Sequence, residues 1–285
     1  MQEAFPNGER LLCLEGNDML AEFLNRVRAQ RPMVHCITNY VTANDCANML
    51  LACGGSAVMA DDPEEAAEIA ALSDALVLNL GTPNPRRIEA MRLAGRQVNR
   101  SNRPVVLDPV GAGCSELRDR AALTLLEEVR FAAVRGNASE IAFLARGRRA
   151  KGGVEGEPVE DVCNLARQLA RQRRTAVIVT GGRDIVTDGE GLVFVDNGHP
   201  MMRSVTGAGC MLSAVTGAFL GANGQDQLHA ALAAVCAVGV CGETAFRRLG
   251  PMDGNAGYRN AIIDAMYKLT GEQLEGGARY ADFCG

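Results

Sequence analysis

The chain has no tryptophan and only three histidines, and aromatic residues make up 4% of it. Recognition by stacking bases on aromatic platforms is therefore poorly served. Positive charge is not in excess either. The net charge is −5 and the pI about 5.4, whereas a sequence-independent grip on DNA or RNA needs a basic face. A short basic run, Arg146, Arg148, Arg149 and Lys151, sits among glycines and reads as a solvated loop. The longest apolar run covers residues 230–241, well short of the roughly 20 residues a membrane helix needs. It reads as a core helix.

Other signatures are missing. None of the ten cysteines has a partner at the two-residue spacing of a metal knuckle or redox motif. Several, such as Cys236 and Cys241, lie in apolar stretches and read as small buried hydrophobes. With no secretory leader at the start, the expected compartment is the reducing cytoplasm. His35, His199 and His229 share no ligand spacing and read as structural. There is no Gly-x-Ser-x-Gly elbow, and no Gly-Lys-Ser/Thr follows the glycine-rich turns.

What is present is a rhythm. Of 285 residues, 47% are hydrophobic and 22% charged, ordinary for a globular protein large enough to bury one substantial core. Residues 1–17 read as an irregular extension. A helix is expected from Asn17 as its cap, with Leu20, Phe23, Leu24 and Val27 on one face, ending before Pro32. Apolar runs then occur at 33–37, 56–60, 75–80, 104–109, 131–136 and 175–181. Their continuous apolarity predicts strands buried on both faces. Helical stretches alternate with them at 45–52, 63–72, 85–99, 115–129, 138–145 and 159–172. Residues 184–198 break the rhythm with two alternating runs around Asp188-Gly189, an antiparallel hairpin signal. Four helical segments follow. The expectation is one α/β domain over 18–285: a mostly parallel central sheet covered by helices on both faces, with one antiparallel hairpin.

In such a sheet, ligands bind beyond the carboxyl ends of the strands. The residues there are Asn39, Met59, the 79–82 segment with Gly81, Asp108 with the "VGAG" turn, Arg135-Gly-Asn137, Thr180-Gly-Gly182, and Thr206-Gly-Ala-Gly-Cys210. Gly207, Ala208 and Gly209 lead into a helix whose N-terminal dipole suits an anion such as phosphate. The same pattern fits a tight loop entering a buried helix. Asp108 closes an apolar strand and fits either a Mg²⁺ ligand or a turn cap. Asn137 and Glu140 have capping-box spacing, which explains Glu140 by itself; the alternative is a carboxylate facing a metal-bound water. Arg135 suits a phosphate or an acidic partner, and Thr180-Gly-Gly a closely approaching nucleotide. Cys210 at a helix N-terminus has a possible nucleophile's position, but the sequence offers no histidine as its base.

Together, "VHCITNYVTAND", "GGSAVMADDPEE", "LNLGT", "VVLDPVGAG", "RGNASEI", "VIVTGGRDIVTDG" and "TGAGCMLSAV" resemble the hydroxyethylthiazole kinase family of the ribokinase-like superfamily. The resemblance runs over nearly the whole chain from about residue 18. It implies ATP- and Mg²⁺-dependent phosphorylation of the primary hydroxyl of 4-methyl-5-(2-hydroxyethyl)thiazole, in thiamine salvage. It implies that Met59, Asn39, Gly81 and Gly207 contact this alcohol, that Arg135 and Thr180 bind ATP, and that Asp108 and Glu140 serve Mg²⁺. Cys210 takes the catalytic position, where related sugar and pyrimidine kinases have aspartate, with Ala208 and Gly209 beside it in the anion-holding turn. The resemblance also implies a homotrimer with sites at subunit boundaries. Three other readings compete: a kinase for another small alcohol such as hydroxymethylpyrimidine, a nucleotide sensor without turnover, and a thiol-dependent transferase.

Overall fold

The computed structural model of the chain describes residues 19–149 and 159–282. The 1–17 extension, the Asn17 cap, Lys151 and Cys13 and Cys284 lie outside these residues. The elements follow one another as α1 (Met19–Gln30), β1 (Met33–Ile37), α2 (Ala43–Cys53), β2 (Ser56–Val58), α3 (Ala66–Leu72), β3 (Ala75–Asn79), α4 (Pro85–Arg100) and β4 (Val105–Asp108). Next come α5 (Glu116–Glu128), β5 (Ala133–Asn137), α6 (Ala138–Arg146), α7 (Val159–Arg173), β6 (Ala176–Thr180), β7 (Asp184–Thr187) and β8 (Leu192–Val195). A 3₁₀ turn (Pro200–Ser204) leads to α8 (Ala208–Asn223), α9 (Gln227–Arg247), α10 (Asn255–Lys268), α11 (Gly271–Gly277) and β9 (Tyr280–Asp282).

The strands form one sheet in the order β2-β1-β3-β4-β5-β6-β7-β8-β9. Pairing is parallel from β2 to β6 and antiparallel from β6 to β9. Strand side chains alternate between two cores. Val34, Val77, Val106 and Ile178 pack under α1, α2, α8, α9, α10 and α11. Leu76, Leu78, Leu107 and Val177 pack under α3 to α7. This is the expected helix–sheet–helix sandwich, and the expected hairpin is β7–β8.

Some elements differ from expectation. The second strand stops at Val58, where its three-residue pairing with β1 ends, so Met59 lies beyond it. The third helix begins at Ala66, because the Asp62 carbonyl accepts from the Glu65 and Ala66 N–H groups in a preceding turn. The sheet also gains β9, antiparallel to β8, from a tail too short to carry an alternating pattern.

The apolar stretch at 230–241 lies in α9. That 21-residue helix has the length and composition of a membrane span, yet 78% of its most apolar window is buried against the rest of the protein. Helix α8 explains the spacing of "GAGCMLSAVTGAFLG". Gly209, Ser213, Gly217 and Gly221 recur every four residues and so share one face. That face meets the sheet: a Cβ on Gly217 would sit 2.7 Å from a Val77 methyl, and one on Gly221 3.3 Å from Ala75. Small residues let the helix axis approach the strands, which brings its N-terminus over the ends of β3, β4 and β5.

Candidate active site

The sheet order reverses between β1 and β3, which is where an open α/β sheet forms its ligand crevice. Asn79 and Asp108 end β3 and β4 side by side in register. Both lie on the face that carries Val77 and Val106, under α8. Asn79 Nδ2 donates to Asp108 Oδ2 at 2.7 Å, and Ser213 Oγ on α8 donates to the same oxygen at 2.8 Å. From the loop after β1, Asn39 Nδ2 donates to Asn79 Oδ1 at 3.0 Å. Both amides also point at Cys210 Sγ, at 3.4 Å from Asn39 and 3.3 Å from Asn79. Asn39 is held in turn, because its Oδ1 accepts from the Val41 and Thr42 N–H groups.

Cys210 enters this cluster through the turn before it. Gly207 caps α8 at φ 83°, the left-handed region, and a Cβ there would collide with Thr42. Burial pushes the Cys210 thiol above its ordinary pKa, the negative charge of Asp108 adds to the rise, and hydrogen bonds from Thr42, Asn79 and Asn39 only offset it. The direction is opposite to the lowered pKa that a helix N-terminus alone suggests. The thiol therefore stays protonated at neutral pH, which removes the main support for a thiol-transferase reading.

A cleft of about 390 Å³ opens beside the cluster. Arg135, Thr180, Gly181 and Gly182 line it, with Ala208, Gly209 and Leu212 of α8, and Asn197 to Pro200 with Val238 and Gly239. Arg135 Nη2 donates to Thr180 Oγ1 at 2.6 Å, and Nη1 lies 3.6 Å from Asp108 Oδ1. The guanidinium packs so closely on Gly209 that a Cβ there would run into it. Arg135 thus spans the space between the Asp108 cluster and the cleft.

Glu140 forms the capping box that its spacing predicts. The capping box is formed: Asn137 Oδ1 accepts from Glu140 N, and Glu140 Oε2 accepts from Asn137 N at 2.8 Å. Its other oxygen accepts from Gly111 N at 2.8 Å, tying the turn after β4 to α6. Burial raises the pKa of Glu140 against those two backbone bonds, and Asp108 contributes to the rise as a neighbouring charge. Burial likewise raises Asp108, opposed by Arg135, Ser213 and Asn79.

These carboxylates fit a cation. Asp108 Oδ1 is buried, accepts no hydrogen bond and lies 3.6 Å from Arg135 Nη1, so it retains lone pairs for a further partner. Among the described residues there is no group of three or more His, Cys, Asp or Glu side chains placed to cage a metal. Such a pair suits Mg²⁺ held jointly with phosphate oxygens and water, rather than in an all-protein cage.

Gly81 and Met59 are placed differently from one another. Gly81 is buried, its N–H donates to Asn79 Oδ1 at 2.9 Å, and a Cβ would sit 2.7 Å from that of Asn39. It belongs to the cluster. Met59 stands beyond the edge strand β2, 39% exposed, two strands away from β3.

The Hydroxyethylthiazole kinase family model matches residues 24–272. The chain belongs to the hydroxyethylthiazole kinase family. The hydroxyethylthiazole kinase of Clostridium acetobutylicum is 46% identical over 273 residues, covering 93% of this chain and 100% of that one. That of Desulfovibrio desulfuricans is 48% identical, covering 90% and 95%. The solved hydroxyethylthiazole kinase structure from Pyrococcus horikoshii superposes with a TM-score of 0.84 at 35% identity, over 93% of this chain and 99% of that one. A pyridoxal kinase from Staphylococcus aureus, in complex with ADP, shares the ribokinase-like fold with a TM-score of 0.59 at 19% identity, over 80% and 94% of the two chains.

Within this family frame, several residues of the site were not singled out from sequence. Ser213 had a signal, since it lies one helical turn beyond Gly209 on the same face. Asp184 opens β7 and lines the cleft; burial pushes its pKa up to about 6 against the Gly181 N–H and the charge of Arg135. The sequence predicts a structural role for His199. It does cap the 3₁₀ turn and stack on Phe246 at 3.5 Å between ring centroids, but it also lines the cleft. Only tertiary folding brings the 197–200 loop there.

Proposed function

We propose that the protein transfers the γ-phosphoryl group of ATP to the primary hydroxyl of 4-methyl-5-(2-hydroxyethyl)thiazole, as a kinase of thiamine salvage. The observation that carries this reading is the junction of two parts. A glycine-lined cleft with Arg135 and Thr180 meets the N-terminus of α8, where Cys210 meets Asn39 and Asn79, the latter bonded to Asp108. The names of the relatives support the substrate.

Phosphoryl transfer needs positioning and charge compensation more than covalent chemistry. Arg135 and Thr180 bind the phosphate chain. The turn formed by Gly207, Ala208 and Gly209 directs the dipole of α8 at the transferring group. Asp108 and Glu140 would hold Mg²⁺, which would supply charge neutralisation to the phosphate chain. Asn39, Gly81, Gly207 and Met59 bind the alcohol. Cys210 orients its hydroxyl, and the raised thiol pKa supports orientation over abstraction of the proton at neutral pH. A second small-alcohol substrate has no specific support, because cysteine rather than aspartate occupies position 210.

The same reading takes residues 18–285 as one kinase domain, supported by a single sheet with one core on each face. It takes the chain as a cytoplasmic homotrimer with sites completed at subunit boundaries. Exposed Tyr40, Val41 and Met59, on the loops after β1 and β2, give such a boundary an apolar surface. The test is an assay of ADP release with the thiazole alcohol, the pyrimidine alcohol and no acceptor. The expected result is turnover that requires the thiazole alcohol, stops with EDTA and returns with Mg²⁺. Faster turnover of the pyrimidine alcohol, or binding of ATP with no acceptor-dependent turnover, would sink the reading.

A further inference from the structure

Arg87 is among the largest fully buried side chains of the protein, with 1% of its surface exposed. A buried guanidinium is costly unless its donors are used, and here they reach two separate loops. Nε and Nη2 donate to Asp61 Oδ2 at 3.1 and 3.0 Å. Nη1 donates to the carbonyl and the hydroxyl of Thr82, both at 3.0 Å. The Tyr40 ring, from a third loop, covers the guanidinium at 4.0 Å. Asn84 caps the first turn of α4 through Arg87 N, and its Nδ2 donates to Tyr40 Oη at 3.3 Å.

The three loops are those that follow β1, β2 and β3, and each carries one residue assigned above to the alcohol. Asn39 precedes Tyr40, Met59 lies two residues before Asp61, and Gly81 precedes Thr82. Thr82 has φ 44°, a strained conformation that a β-branched residue rarely adopts. Such a backbone persists only where its surroundings over-determine it, and two of the Arg87 hydrogen bonds end on this residue. From the other side, His35, fully buried on β1, donates from Nε2 to the Ala60 carbonyl at 2.7 Å and anchors the loop next to Asp61.

We propose that Arg87 is the positioning residue of the alcohol pocket, clamping the loops after β1, β2 and β3 and holding Thr82 in its left-handed conformation so that Gly81 keeps its place against Asn39 and Asn79. This rests on the assignment of Asn39, Met59 and Gly81 to the alcohol. Arg87 touches neither reactant. The planar fork is what the geometry uses: one edge grips Asp61, the other grips Thr82, and the face is left to Tyr40.

The experiment measures KM for the thiazole alcohol, KM for ATP, kcat and melting temperature in wild type, Arg87→Met, and Arg87→Met combined with Thr82→Gly. Displaced loops cost binding geometry, so Arg87→Met is expected to raise the alcohol KM about tenfold or more, with the ATP KM within about twofold of wild type. Glycine adopts the Thr82 conformation without strain, so the double variant should recover part of the alcohol KM. A purely structural arginine predicts a lower melting temperature with both KM values unmoved. If Arg87→Met does not fold, Asp61→Asn, whose side chain is half exposed, loosens the same clamp and should show the same split at smaller size. Folded variants with an unchanged alcohol KM, or with both KM values rising together, overturn the inference. A wild type inert toward the alcohol overturns the functional reading as well, whereas an active wild type with unmoved variants overturns this inference alone.

Discussion

Asn79 Nδ2 donates to Asp108 Oδ2 at 2.7 Å, between residues paired in register on adjacent parallel strands. Through the same nitrogen Asn79 also reaches Cys210 Sγ at 3.3 Å. One amide therefore links the carboxylate to the residue assigned beside the alcohol. Replacing it with leucine keeps the volume but leaves a buried acceptor short of a donor, at a cost of about 1–3 kcal/mol. Asn79→Leu is expected to lower kcat about a hundredfold through misplacement of Asp108 and Cys210. Steady-state kinetics beside a thermal melt check it; activity near wild type would show that the link is not used.

Cys210 has a raised thiol pKa from burial and the charge of Asp108, so near pH 7.5 it stays a thiol and reacts slowly. Iodoacetamide followed by mass spectrometry should label exposed Cys114 well before Cys210. Cys210→Ser keeps an acceptor for the two amides, and its activity is expected to fall about 10- to 100-fold without vanishing. Complete inactivity in a folded variant that still binds the alcohol would make the thiol essential rather than orienting.

Asp184 is a pH-dependent cost to stability. Burial raises its folded pKa from 3.8 to about 6, so the folded state holds a proton that the unfolded state has already released. The favourable contribution is fully present below the unfolded value and is lost as pH rises through about 6. Asp184→Asn keeps an oxygen to accept from Gly181 N and removes the charge. Its stability relative to wild type should therefore grow between pH 4 and pH 8, by at most about 3 kcal/mol. Melts at several pH values test this; a difference that is flat with pH would contradict the assignment.

Gly209 carries no Cβ, and the Arg135 guanidinium occupies the space one would fill. In Gly209→Ala the arginine must swing away from Thr180 and Asp108, which its long side chain allows. The fold should survive with a small change in melting temperature, while kcat/KM for ATP falls about tenfold. An unchanged ATP dependence would remove Arg135 from phosphate binding.

Much of this site was legible before folding. Asp108, Arg135, Thr180 and Cys210 each follow an apolar run or a glycine-rich turn, and the rule that strand ends carry ligands selects them. Glu140 was legible as a cap, though not its second bond to Gly111, which depends on where the β4 turn lands. Arg87 was invisible, because an arginine in the first turn of an amphipathic helix has the pattern of a solvated residue. Only the convergence of Asp61, Thr82 and Tyr40 buries it.

Continuous apolar runs separated by amphipathic stretches determined a sheet covered on both faces, since those strands must leave water on both sides. The four-residue repeat of small side chains in α8 determined that this helix would lie close to a neighbour. Which strands it crosses, and hence the meeting of Asn39, Asn79, Asp108, Ser213 and Cys210, was decided only by tertiary structure. These residues are far apart along the chain, and the hydrogen bonds that join them depend on strand order and register. Local pattern specifies which surface must be buried; the partner on the other side of that surface is chosen by the packing of the whole chain.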